Sequence, residues 1–391
     1  MFAVFAGARK AALLCVTLAA GLVLSACDTA GVGAGGPRID ASAPVPVALL
    51  VPTGSAQSGD MILAQSLENA ARLAISDLNG VQIDLRVYDT AGNAATAANV
   101  ANQAVDDGAK IILGPVYAES ANAVGLAVAN RNVNVLSFSN NPTIAGGNVF
   151  ILGPTFDNTA SRLANYAARQ GKRNVLVVHG SDLAEQTGRD AVQRALARTA
   201  ASSVGTVTYE QSQQGVIGAI PRIKSQVEST GADAMFLTAN TAGALPLLTQ
   251  LLPEAGISSP ATQFIGLTRW DIPSQTLELP GVQGGWFALP DPVKSDQFRA
   301  RYTASFSNAP HPIGSLAYDG IAAIGALVGS GNPDALSGAS LTQGAGFQGV
   351  GGIFRLLPDG TNQRGLAVAT IQNRQVVVVD PAPASFSGAG L

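Results

Sequence analysis

The run Lys110-Ile111-Ile112-Leu113 is apolar at strand length and stops at Gly114-Pro115. Small and polar residues follow, Val116-Tyr117-Ala118-Glu119-Ser120, and then an Ala-rich helical pattern opens at Ala121. Strand, tight turn and helix start in that order predict a parallel strand whose carboxyl end presents backbone N–H groups and short hydroxyls. Open α/β sheets bind ligands at that edge. The device recurs in Asn132-Val133-Asn134-Val135-Leu136, which runs into Ser137-Phe138-Ser139-Asn140-Asn141-Pro142. Two such edges side by side predict one wall of a ligand cleft.

The flanking chain extends the pattern. A strand is expected at Val45 to Val51, a loop over Pro52 to Gly59, a helix from Asp60 to Asp77 and an alternating strand at Ile83, Leu85 and Val87. An Ala-rich helix then ends near Asp107-Gly108. The order β-α-β-α-β-α-β argues a parallel sheet covered on both faces. After Pro142 the pattern restarts, with strands at 150–154, 175–179, 204–209 and 234–237 and helices at 158–169, 184–200 and about 217–227. Two further helical patterns (295–306 and 316–328) and strands at 352–355, 366–371 and 376–379 close the chain. At 391 residues, 47% hydrophobic and 13% charged, this is an α/β chain with enough apolar surface for two lobes. A net charge of −3 with no basic cluster argues against nucleic acid as a partner.

Arg9-Lys10, the apolar run Ala11 to Leu24 and Leu24-Ser25-Ala26-Cys27 have the layout of an export signal over residues 1–26. Leu-Ser-Ala-Cys resembles the bacterial lipobox, which implies that Cys27 carries a lipid and that the protein sits on the periplasmic face of a bacterial membrane. Residues 27–44, rich in Gly, Ala, Pro and Ser, read as a flexible tether. Their Gly31-Val32-Gly33-Ala34-Gly35-Gly36 matches a dinucleotide fingerprint in letters only, because no strand precedes it and no helix follows. Cys15 and Cys27 are the only cysteines, so the body has neither a disulfide nor a cysteine-held metal.

Pro52-Thr53-Gly54 with Gln57-Ser58-Gly59, Val87-Tyr88-Asp89-Thr90, Asp107-Gly108 with Leu113-Gly114-Pro115, Tyr318-Asp319, and Gly352-Ile353-Phe354 with Asp359-Gly360 occur in an order and spacing similar to the type I periplasmic binding proteins. The resemblance is to their leucine/isoleucine/valine-binding branch, over roughly Pro46 to Asp380. It implies two doubly wound β/α lobes joined by a three-crossing hinge. Lobe 1 would hold 45–153 plus 288–364, lobe 2 154–287 plus 365–380, with 381–391 a disordered tail. The Leu113-Gly114-Pro115 and Leu136 to Asn140 pair, with the lipobox, looks closest to the penicillin-binding-protein activator lipoproteins, which regulate peptidoglycan synthesis.

The same resemblance places ligand contacts at Ser58, Tyr117, Ser120, Ser137 and Ser139 in lobe 1, and at Thr187, Arg269 and Asp271 in lobe 2. Ser58 and Thr187 stand where amino-acid binders have tyrosines. Arg269 brings a positive charge to where an α-ammonium would need a negative one, so an anionic or larger ligand, or none, is expected in place of a free branched-chain amino acid. His179 and His311 read as structural. No metalloprotease, nucleophile-elbow, phosphate-loop or S-x-x-K motif occurs, and no catalysis, cofactor or metal is expected. Two functions remain: a membrane-tethered regulator touching a peptidoglycan synthase, and a lipoprotein that captures an amino acid or other small polar solute for an ABC permease.

Overall fold

A computed structural model describes residues 36–259 and 261–386. The first five strands, β1 (Val45–Val51), β2 (Ile83–Asp89), β3 (Ile111–Leu113), β4 (Asn134–Ser137) and β5 (Val149–Ile151), form one parallel sheet in the order β2-β1-β3-β4-β5. Helices α1 (Asp60–Asp77), α2 (Ala94–Asp106) and α3 (Ala118–Val128) connect them. Side chains alternate across a strand, so the near-continuous apolar runs require cover on both faces. Val47 and Leu49 of β1 point into one core with Leu63 and Leu67 of α1, and Ala48 and Leu50 into another with Ala97 and Val124.

The second sheet has seven strands in the order β15-β14-β10-β9-β8-β6-β7. Its parallel part is β6 (Asn174–Gly180), β7 (Ser202–Tyr209), β8 (Ala234–Leu237), β9 (Gln263–Gly266) and β10 (Trp286–Leu289). β14 (Ala367–Gln372) and β15 (Gln375–Asp380) continue it antiparallel. The same division recurs, with Leu176 and Val178 in one core and Val175 and Val177 in the other. Helices α4 (Phe156–Arg169), α5 (Leu183–Leu196), α6 (Gln213–Thr230) and α7 (Leu245–Glu254) belong to this lobe, while α8 (Pro292–Phe306) and α9 (Ser315–Val328) return to the first, α9 packing on α1. A small antiparallel sheet, β11 (Phe347–Gly349), β12 (Gly352–Leu356) and β13 (Asn362–Arg364), lies next to α9.

The chain passes between the lobes three times, after β5, after β10 and after β13. All three passages meet the carboxyl edges of the parallel strands. β5 ends at Ile151, β10 ends at Leu289, and β14 begins opposite Leu289 at Ala367. Asn362 Nδ2 donates to the carbonyls of Ile151 and Gly153, both at 2.8 Å. Arg364 Nε donates to the Leu152 carbonyl (3.1 Å), and its Nη1 pairs with Asp319 Oδ2 at 3.2 Å. Burial pushes the Asp319 carboxyl up, against the pull of Arg364. Thr155 and Asn158 form a reciprocal cap at the start of α4.

Four expectations change. Ala288 pairs in the second sheet through Leu289, two residues beyond the expected 287/288 division. The expected tether is anchored in its described part: Ile39 is buried, and its N–H donates to the Pro333 carbonyl at 2.9 Å. The expected disordered tail is likewise placed over 381–386, with Arg355 stacked on the Phe386 ring at 4.5 Å. Helix α7 had no counterpart in the sequence reading; it carries Pro246 in its first turn and Pro253 next to its last residue. The signal, Cys27 and most of the fingerprint-like glycines lie outside the described residues. No helix among the described residues is long and apolar enough to cross a membrane.

Candidate functional site

The strands β1 to β4 release their loops at one edge. Gly114 has φ +94, and a β-carbon there would lie 2.3 Å from the Leu50 carbonyl oxygen, so only glycine lets β3 turn this close to β1. Ser137, at the end of β4, is fully buried; its hydroxyl donates to the Pro115 carbonyl (2.9 Å) and accepts the Ser139 N–H (3.1 Å). Ser139 accepts the Asn141 N–H at 3.1 Å. These two serines tie the turn, as local side-chain bonds of serine do. Ser120 is buried in the first turn of α3. Ser58 is exposed in the loop before α1.

Tyr117 crosses between two of these loops and donates to Asp60 Oδ1 at 2.5 Å. Burial first, and then the Asp60 carboxylate, push its phenol up to about 12. Sequence reasoning missed Asp60, whose signal was an acid directly after Gly59 at a helix start.

In the second lobe the edge is organised by Glu185, also missed. It is 5% exposed and accepts from Gly180 N–H (2.6 Å), Tyr209 OH (2.6 and 2.8 Å), Gln211 Nε2 (2.8 Å) and Thr238 OH (2.8 Å). Four donors from three strand ends, those of β6, β7 and β8, therefore converge on one carboxylate. Burial and then Glu185 push the Tyr209 phenol far up. The sequence signal was Asp182-Leu183-Ala184-Glu185 after a strand, a capping-box pattern in which Asp182 caps α5. The structure turns the Glu185 side chain to the sheet edge.

The predicted lobe 2 contacts, Thr187, Arg269 and Asp271, are spent internally. Thr187 donates to the Leu183 carbonyl at 2.8 Å within α5. Arg269 Nε donates to Asp271 Oδ1 at 2.6 Å, and its Nη2 contacts Oδ2, a two-point ion pair within one loop. The positive charge expected to oppose an ammonium is thus matched beside itself. Trp270 is core, stacked on Phe287 (6.5 Å) beneath Gly266 and Gly285. His179 is buried, with its ring nitrogens at Gly180 O (2.8 Å) and Thr208 Oγ1 (3.0 Å).

A cavity of about 500 Å³ opens at the hinge, and none of the eight predicted ligand contacts lines it. Most of its guanidinium groups are paired: Arg162 with Asp380, Arg194 with Asp157 and Arg364 with Asp319. The loop edges, where backbone and side-chain groups from several strands converge, fit a ligand site better. No cluster of metal-ligating side chains occurs among the described residues.

The sequence profile of the Periplasmic binding protein family matches residues 44–375, and the chain belongs to that family. Its fold, two lobes on a three-passage hinge, is that of the type I members, with leucine and branched-chain amino acid binding proteins among its structural neighbours. A *Rhodospirillum rubrum* protein described as a branched-chain amino acid ABC transporter superposes with TM-score 0.74 at 18% identity, over 86% of this chain and 100% of that one. An ABC transporter substrate-binding protein of *Desulfitobacterium hafniense*, solved with leucine, gives 0.62 at 16% over 86% and 100%. A solute-binding protein of *Rhodopseudomonas palustris*, solved with 3,4-dihydroxybenzoic acid, gives 0.57 at 16% over 87% and 98%. An uncharacterized protein of *Rickettsia prowazekii* (strain Madrid E) is 21% identical over 184 residues, 47% of this chain and about half (48%) of the relative.

Proposed function

We propose that this chain is the periplasmic solute-capturing component of an ABC transporter, holding a small polar solute between its lobes without transforming it. The observation that carries this is the arrangement of the two parallel sheets, whose carboxyl edges both adjoin the three hinge passages. A solute bound there touches both lobes, and hinge closure converts binding into a shape that a permease can read. The similar proteins in solved structures are described as transporter or solute-binding proteins. The similar proteins named above favour solute capture over the peptidoglycan-regulator reading. The test is mass spectrometry of small molecules released when protein isolated from its own cells is unfolded, with uptake measured in a deletion strain. One solute in near-stoichiometric amount, whose uptake fails in the deletion, is the expected result. No released solute and unchanged uptake of all those tested would overturn the reading.

A further inference from the structure

The loops leaving the carboxyl edges carry an excess of negative charge. In lobe 1 they carry Asp60, Asp89 and Glu119 and no Lys, Arg or His. In lobe 2 they carry Asp182, Glu185, Glu210 and Asp271 against the single Arg269, which Asp271 already neutralises. Asp182, Glu185 and Glu210 are held by neutral donors: Gln211 Nε2 bridges Asp182 and Glu185, and Ser181 OH reaches Glu210 Oε2 at 3.0 Å. The nearby Arg222 comes from mid-helix and donates to the Thr208 carbonyl at 3.0 Å. Like charges gathered on loops of a cleft concentrate solutes of the opposite charge.

Independently of this charge balance, Asp60 presents an open acceptor. The residue is 6% exposed, Oδ1 takes the Tyr117 hydroxyl, and Oδ2 is buried with no donor. A buried carboxylate oxygen without a partner is costly. It faces the bare backbone of Gly92: a β-carbon built there would lie 3.5 Å from Oδ2 and 3.1 Å from Ser55 Oγ. The Asp60 carboxylate and the Ser55 hydroxyl thus both border the side-chain-free Gly92. An ammonium group donates three hydrogen bonds and would supply the donor that Oδ2 lacks. The loop edges of the two lobes also leave Met61 and Ile62 of α1, Leu183 of α5 and Ile272 exposed. Apolar side chains on both lobes suit an organic body better than a bare metal ion.

From this juxtaposition we infer that the captured solute is an organic cation, an amine or guanidine with an apolar portion, whose charged head is received by Asp60 and Ser55. This rests on the solute-capture reading and reverses the anionic ligand that Arg269 suggested from sequence.

The experiment uses an isosteric charge series, phenethylammonium, phenethyl alcohol and phenylacetate, with agmatine, leucine and glutamate alongside. Thermal shift and calorimetric titration read binding to the whole protein. The amines should bind, the neutral and anionic members should not, and Kd should rise with NaCl as screening grows. Asp60→Asn should weaken the amines at least tenfold. Ser55→Ala, a change at a half-buried loop hydroxyl that keeps the test alive should Asp60→Asn fail to fold, should weaken them a few-fold. Binding of the alcohol, leucine or an anion in preference to the amines would overturn the cation assignment while leaving solute capture standing. Amine binding unchanged in both variants would overturn the Asp60 site. No shift with either amine would also overturn the assignment, and solute capture would then be decided separately by the released-solute measurement.

Discussion

Replacing Glu185 by alanine removes the acceptor on which the second lobe's edge converges. Tyr209, 1% exposed, and Thr238, 3% exposed, lose the carboxylate their hydroxyls use, and the Gly180 N–H loses its acceptor at 2.6 Å. Thr238 keeps a weak alternative in the Val178 carbonyl at 3.4 Å, and the part-buried Gln211 can turn to water. Two to three buried donors are then left unsatisfied, at about 1–3 kcal/mol each. Glu185→Ala should therefore destabilise the fold by roughly 3–6 kcal/mol, a large share of the about 5–15 kcal/mol typical of a domain. Urea denaturation followed by circular dichroism measures it. Tyr209→Phe removes one donor together with its need for a partner and should cost only about 1 kcal/mol, less still when added to Glu185→Ala. A Glu185→Ala loss below about 1 kcal/mol, or strict additivity in that cycle, would refute the convergence argument.

Arg364→Ala leaves the buried Asp319 carboxylate without its counter-charge and should cost about 3–5 kcal/mol in denaturant titration. Because the Asp319 carboxyl is already pushed up, the folded state holds its proton more tightly than the unfolded one, so this variant should regain stability as pH falls. Ser137→Trp should fail to fold or melt far below wild type, since the site is fully buried and its hydroxyl joins two backbone groups; a wild-type melting temperature would show that the turn can open. The Tyr117 phenol, raised to about 12, should contribute stability that is intact below its ordinary value of 10.0 and lost as pH rises through about 12. Phenolate absorbance should show that ionisation moving to lower pH in Asp60→Asn.

The architecture was legible because the parallel strands of both sheets are doubly covered, so strands such as Val45–Val51 and Ala234–Leu237 read as unbroken apolar runs between helical patterns. The edge at Gly114-Pro115 could be found for the same reason: its backbone geometry demands glycine. The chemistry of the edge was less legible. Ser137 and Ser139 have the right residue type at the right place but face inward, and a hydroxyl that ties a turn has the same letter as one that meets a ligand. Arg269 read as a free charge, although Asp271 two residues on closes a ring with it. Asp60 and Glu185 looked like ordinary helix-start acids, because capping patterns do not reveal whether the carboxylate turns back onto the helix or across to a neighbouring strand. α7 did not read as a helix from its sequence; it holds Pro246 in its first turn, where no N–H is needed, and Pro253 inside its last turn.

Solute-driven closure of the two edges can be measured directly, because Cys15 and Cys27 both precede the folded lobes. Cysteines introduced in place of the exposed Glu119 and Glu210, one on each edge, can carry spin labels in a chain lacking residues 1–27. Pulsed electron resonance then reports the distance between the lobes with and without the solute that most raises the melting temperature. The distance distribution should shift to shorter values as that solute saturates. A distribution that stays unchanged at saturation would contradict capture between the lobes.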